Sequence, residues 1–150
     1  MKKILITTGG SGGHVIPSLS MYDALKDKYE IQLSTDLRGS KYINDENYNY
    51  SLIDVPNLFS NLFILPYNLV RFCFSLVKSY KYLKLNNFNI LVSTGGYMSL
   101  PLCLASTLLN IKIFEDQNEY FSKKNNLSLL NKENMWEKNK SKLIELINEN

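Results

Sequence analysis

The sequence predicts an α/β domain built on an open parallel sheet. Three observations carry that expectation. Five short apolar runs are separated by segments of helical or mixed character, and such alternation sets strands parallel with right-handed crossovers. The first run, Lys3–Thr8, passes directly into Gly9-Gly10-Ser11-Gly12-Gly13-His14. Two more loops, Thr94-Gly95-Gly96-Tyr97 and Glu115-Asp116-Gln117-Asn118, follow the fourth and fifth runs. In an open parallel sheet such loops lie beyond the carboxyl ends of the strands, where ligands bind.

The elements follow in order. Lys3–Thr8 reads as a buried strand. Pro17 suits the first turn of a helix, and Leu19, Tyr22, Ala24 and Leu25 give that helix an apolar face through about Lys28. Ile31–Ser34 is the second strand, residues 37–48 a short helix and loop, and Ser51–Val55 the third strand. Ile90–Ser93 and Ile111–Phe114 are the fourth and fifth, with a helix over Pro101–Leu109 between them. Strands one, four and five are expected to be neighbours, so the three loops converge.

The segment Asn57–Leu85 is rich in Phe, Leu and Tyr and is broken by Pro66. From Tyr67 on, Arg71, Ser75, Lys78 and Ser79 share one helical side, and Leu69, Cys73, Leu76, Tyr80 and Leu83 the other. Two readings stand together: a crossover helix buried against the sheet, and a surface around Phe59–Leu65 that touches a membrane. Beyond Asn118 the composition turns to Asn, Lys and Glu. The stretch Trp136–Ile147 suits an amphipathic helix with Trp136, Leu143 and Ile147 on one face. No sixth strand and no internal repeat are visible.

A chain of 150 residues suits one domain with a core. The net charge of +3 is too small to argue for nucleic acid. Its distribution is more telling: residues 55–114 hold no acidic side chain but include Arg71, Lys78, Lys81, Lys84 and Lys112. That one-signed stretch favours anionic phosphate or lipid. Cys73 and Cys103 lie in apolar surroundings and read as two buried, reduced thiols. The apolar run behind Met1-Lys2-Lys3 is too short for a signal-peptide core. No stretch approaches the roughly 18 apolar residues of a membrane span.

The first loop follows neither common nucleotide pattern. A dinucleotide fingerprint starting at Gly10 needs glycine at position 15, which is Val15, and no Gly-Lys-Ser/Thr follows. Gly10-Ser11-Gly12 is too short for a nucleophile elbow. One histidine and two separated cysteines make no zinc site, so neither metal nor cofactor is expected. Glycines that admit a close backbone approach, followed by a helix start, suit an anion. His14 can act as a general base, as a partner of phosphate or as a hydrogen-bonded cap. Asp116 can orient it, or Glu115 and Asp116 can simply be a solvated loop. Gln117 and Asn118 carry both donors and acceptors, as sugar hydroxyls require. Gly95 and Gly96 offer amides to a second oxyanion, and Tyr97 can stack on a ligand or simply pack.

Three segments together resemble a family. Gly9-Gly10-Ser11-Gly12-Gly13-His14-Val15-Ile16-Pro17, Gly95-Gly96-Tyr97-Met98-Ser99-Leu100-Pro101 and Asp116-Gln117-Asn118 look, in order and spacing, like the N-terminal motifs of the lipid-II-forming N-acetylglucosamine transferases of peptidoglycan synthesis. Those enzymes move GlcNAc from UDP-GlcNAc onto undecaprenyl-pyrophosphoryl-MurNAc-pentapeptide, lipid I. The resemblance implies a Rossmann-like domain over residues 1–120, one half of a GT-B glycosyltransferase, with 121–150 a polar linker and terminal helix. It implies that Gly10, Ser11, Gly12, Gly13, Gly95, Gly96, Tyr97, Gln117 and Asn118 bind substrate and that His14 and Asp116 are catalytic. Here Asp116 stands where most members carry Glu, and Glu115 where they carry His.

The same resemblance implies a polyprenyl-pyrophosphate acceptor, a peripheral place on the cytoplasmic face of the inner membrane, and a membrane patch over Phe59–Lys84. It leaves the donor domain unmatched, so UDP-GlcNAc is expected to bind only when a donor domain, in a partner protein, completes the cleft. Alone the chain is not expected to turn over. The alternatives are a subunit of a two-chain GlcNAc transferase, a non-catalytic polyprenyl-pyrophosphate binder, and a truncated remnant.

Overall fold

The computed structural model describes residues 2–43, 46–55, 62–115 and 140–148. Five strands form one parallel sheet: β1 (Lys3–Thr7), β2 (Glu30–Thr35), β3 (Tyr50–Leu52), β4 (Ile90–Ser93) and β5 (Lys112–Glu115). Their order is β3-β2-β1-β4-β5. The chain therefore reverses its direction of growth between β1 and β4, and such a switch point opens a crevice at the carboxyl edge. The register places Ser51, Ser34, Thr7, Ser93 and Glu115 in one row across all five strands. The loops that follow β1, β2 and β4 thus leave the sheet side by side.

The central strands are apolar on both faces because helices cover both. On one face Ile4, Ile6 and Val92 pack with Met21 and Leu25 of α1 (Gly12–Leu25), and with Leu143 and Ile147 from the helical residues 140–148. On the other, Leu5 and Leu91 pack with Leu83 of α2 (Leu65–Asn86) and with Leu102 and Ala105 of α3 (Leu100–Leu108). Asn87 ends α2 in the left-handed region at φ 52°, a conformation asparagine tolerates. The expected amphipathic terminal helix thus contributes Leu143 and Ile147 to the core, while Trp136 lies outside the described residues.

Three expectations are corrected. First, α1 begins at Gly12 and encloses Pro17, which was expected in its first turn. Proline carries no N–H for the carbonyl four residues back, so the Gly13 carbonyl lacks that helical partner. Second, α2 turns its serine side inward. Asn68, Ser75, Ser79 and Leu83 are its buried residues, whereas Leu69, Val70, Phe74 and Val77 stand exposed. Ser75 Oγ donates to the Asp54 carbonyl at 2.8 Å, and small hydroxyl side chains let the helix approach the end of β3 closely. Third, Cys73 is exposed on that outward face and Cys103 is only half-buried.

Candidate active site at the carboxyl edge of the sheet

The first loop crosses the switch point. Gly9 is buried, with the Met98 side chain and the Asp36 carboxylate so close that a Cβ would stand about 3 Å from each. Ser11 is the N-cap of α1, yet its side chain makes no capping bond and is exposed. Gly12 and Gly13 form the first turn, where backbone N–H groups have no intrahelical acceptor. A Cβ on Gly12 would press on the Tyr42 ring at 3.2 Å. A Cβ on Gly13 would meet, beyond its own turn and among the described residues, only Ser11 Oγ at an ordinary 3.7 Å.

His14 joins this loop to the second one. Its Nδ1 lies 2.9 Å from the Thr94 carbonyl oxygen. A carbonyl only accepts, so Nδ1 is the donor in this bond. The imidazole lies over Gly95, where a Cβ would come within 3.2 Å of the ring. Gly96 sits at φ 91°, ψ 148°, a region that essentially only glycine occupies, and a Cβ there would come within 3.3 Å of the Gly9 carbonyl. Ser99 Oγ donates to the Gly96 carbonyl at 2.8 Å. The two glycine loops therefore touch at two points, as expected for them, while the third loop of the expected convergence lies outside the described residues beyond Glu115.

The structure treats the remaining expected residues differently. The Gly10 N–H donates to Asp36 Oδ1 at 2.9 Å, so that amide already has an acceptor inside the protein. Tyr97 lies near Phe72 of α2, with ring centroids 6.5 Å apart, which is a packing arrangement. Asp116, Gln117 and Asn118 lie outside the described residues, as does Phe59. No group of three or more His, Cys, Asp or Glu side chains able to hold a metal occurs among the described residues.

Asp36 was not singled out from the sequence. It is 5% exposed and accepts from Gly10 N–H, Gly39 N–H at 2.8 Å and Arg38 Nε at 3.0 Å. Burial pushes its pKa up, but the two backbone N–H groups and the guanidinium outweigh burial and hold the carboxyl below the usual carboxylate range. The signal for it was local: Asp36-Leu37-Arg38-Gly39 directly behind a strand is a sequence for a side-chain-capped turn.

An apolar surface flanks this site. Phe63 is 94% exposed and Phe74 65%, and Ile64, Tyr67, Val70 and Val77 are exposed with them. On α3, Leu100, Leu104 and Leu108 form an exposed stripe at four-residue spacing. No helix among the described residues is long and apolar enough to cross a membrane. A groove of about 390 Å³ between β3 and α2, lined by Asp54, Arg71, Phe74 and Lys78 among others, lies apart from the glycine loops.

Residues 4–128 match the model of the glycosyltransferase family 28 N-terminal domain. The chain belongs to glycosyltransferase family 28. Among its relatives is the UDP-N-acetylglucosamine--N-acetylmuramyl-(pentapeptide) pyrophosphoryl-undecaprenol N-acetylglucosamine transferase of Pelagibacter ubique, 46% identical over 112 residues, which are 75% of this chain and 32% of the relative. The enzyme of the same name from Rickettsia typhi is 34% identical over 128 residues, 83% of this chain and 32% of that one. The chain thus spans about a third of the length of these family 28 relatives. The crystal structure of Acinetobacter baumannii MurG shares the fold, with a TM-score of 0.63, 23% identity, and coverage of 77% of this chain and 35% of that one. The fold is accordingly one Rossmann-like half of a GT-B glycosyltransferase.

Proposed function

We propose that this domain binds a polyprenyl-diphosphate-linked sugar, lipid I, in the crevice between its two glycine loops and presents the acceptor hydroxyl for transfer of GlcNAc. The single observation that carries this reading is Gly13. Nothing described in the protein requires a glycine there, so its missing Cβ serves what approaches from outside. The N–H groups at the start of α1 and the exposed Ser11 hydroxyl suit a diphosphate. The names of the relatives supply the acceptor and donor chemistry.

In this reading His14 takes the acceptor proton at Nε2, with Nδ1–H fixed on the Thr94 carbonyl. The acceptor oxygen bonds to C1 of the GlcNAc, the C1–phosphate bond breaks, and UDP leaves with the electron pair. Asp116, Gln117 and Asn118 would hold the sugar side of the same crevice. The donor is held by a second Rossmann-like domain facing this one. The exposed apolar residues of α2 and α3, with Lys78, Lys81 and Lys84 nearby in sequence, would seat the domain peripherally on the cytoplasmic face of the membrane.

A second reading is lipid-diphosphate binding without turnover, which the α1 N–H groups and the exposed Ser11 hydroxyl would serve equally well. Calorimetry of the purified chain with a water-soluble lipid I analogue and, separately, with UDP-GlcNAc tests the acceptor assignment. Binding of the analogue alone is expected. Binding of UDP-GlcNAc alone, or of neither, would remove it. Turnover by a pair reconstituted with a donor domain, lost in His14→Ala, separates the two readings.

A further inference from the structure

The loop after β2 reaches the same crevice, and its two charged residues have no place in the reading above. Asp36 is buried at the end of β2, and its two carboxylate oxygens do different work. Oδ1 accepts from the Gly10 and Gly39 N–H groups at 2.9 and 2.8 Å. Oδ2 accepts from Arg38 Nε at 3.0 Å. One side chain thereby fixes the glycine loop, the turn behind β2 and the root of a guanidinium.

The guanidinium itself stays in the open. The Arg38 side chain is 66% exposed, whereas the Asp36 side chain it meets is buried. Its Nη2 stands 3.8 Å from where a Cβ on Gly10 would lie, so the fork overhangs the glycine loop. Nε is engaged by Asp36, and the Nη N–H groups remain as donors in a planar array matched to phosphate oxygens. Asp36 is its ion-pair partner among the described residues. With the carboxylate buried and the guanidinium open to solvent, the pair fixes the direction in which the Arg38 fork points.

We propose that Arg38 is a diphosphate ligand of this crevice and that Asp36 is the positioning residue that holds both Arg38 and the Gly10 amide in place. The inference rests on the diphosphate reading of the crevice and adds to it a cationic side chain beside Gly10 of the first glycine loop. The ligand chemistry is a diphosphate group, whether on a lipid or free. Arg38→Lys keeps the charge but loses the fork. Arg38→Gln loses the charge.

The test is titration of the full chain with inorganic pyrophosphate and with farnesyl diphosphate, by calorimetry at low and high salt. Arg38→Gln is expected to weaken both probes about tenfold or more, equivalent to about 1.4 kcal/mol or more, and to flatten the salt dependence. Arg38→Lys is expected to fall between Arg38→Gln and the wild type. Asp36→Asn is expected to weaken binding as Arg38→Gln does, while the Asp36→Asn/Arg38→Gln double variant is no weaker than the worse single. Fully additive losses would make Asp36 a structural residue only and overturn its part. Wild-type affinity in Arg38→Gln, with affinity lost in Gly13→Ala, would overturn the Arg38 assignment and leave the crevice reading standing. Failure of the wild type to bind either probe would overturn both.

Discussion

Replacing Gly13 by Ala separates the needs of the fold from those of a ligand. The new methyl would meet, among described groups beyond its own turn, only Ser11 Oγ at 3.7 Å, an ordinary van der Waals distance. Gly13 lies in the first turn of α1 without a positive φ. Alanine restricts the unfolded chain more than glycine does, so Gly13→Ala is expected to stabilise the domain by about 0.4–1 kcal/mol. For a domain of this size that is a rise in Tm of roughly 1–4 °C. The same methyl stands where a phosphate must approach the Gly12 and Gly13 amides. Losing one charge-assisted hydrogen bond costs about 1.5–3 kcal/mol, or at least about tenfold in affinity. Thermal melts and calorimetric titration with farnesyl diphosphate read the two effects in one variant. Raised stability with unchanged affinity would refute the argument that the missing Cβ serves a ligand. Lowered stability would refute the account of the space around Gly13.

Gly96→Ala is expected to destabilise by about 1–3 kcal/mol from backbone strain alone, with more from the contact at the Gly9 carbonyl, and urea denaturation measures it. Ser79 Oγ is buried with no hydrogen-bond partner among the described residues, so Ser79→Ala is expected to be neutral or stabilising. Ser75→Ala, which removes the bond to the Asp54 carbonyl, should cost about 1 kcal/mol in the same assay. Replacing Phe63, Phe74 and Leu104 together by Ser is expected to cut sedimentation with anionic liposomes more than tenfold with little change in Tm, since all three are exposed. For pH, the folded pKa of Asp36 is depressed, so its contribution is present above the unfolded value of about 3.9 and is lost as pH falls through the folded value. The stability gap between wild type and Asp36→Asn should therefore be full at pH 7 and shrink below about pH 4, and denaturation curves across that range measure it.

The sheet was legible because its strands are apolar runs ended by glycine or by turn residues. Ile90–Ser93 is β4 as expected, and the neighbourhood of β1, β4 and β5 followed from the alternation. The meeting of the two glycine loops was legible for the same reason. The orientation of α2 was not. Hydrophobicity favours burying Leu69, Cys73, Phe74 and Val77, but Ser75, bonded to the Asp54 carbonyl, and the small Ser79 face inward, and those four stand exposed while Leu83 alone of the expected apolar side is fully buried. Pro17 marked a helix but not its start, because proline is tolerated in the second turn when the carbonyl it deprives lies at an open end. The turn that Asp36 caps was locally legible, but its bond to Gly10, 26 residues earlier, was not, because strand order alone brings the two near.

The most direct test of the crevice is to titrate the isotope-labelled chain with farnesyl diphosphate and follow the backbone amides by NMR. The account predicts the largest shifts at Gly12, Gly13 and His14, with Gly95 and Gly96 moving as well and Gly10 moving less because its N–H is held by Asp36. Shifts confined to the groove of Ser51, Lys78 and Tyr82, with the two glycine loops silent, would contradict it.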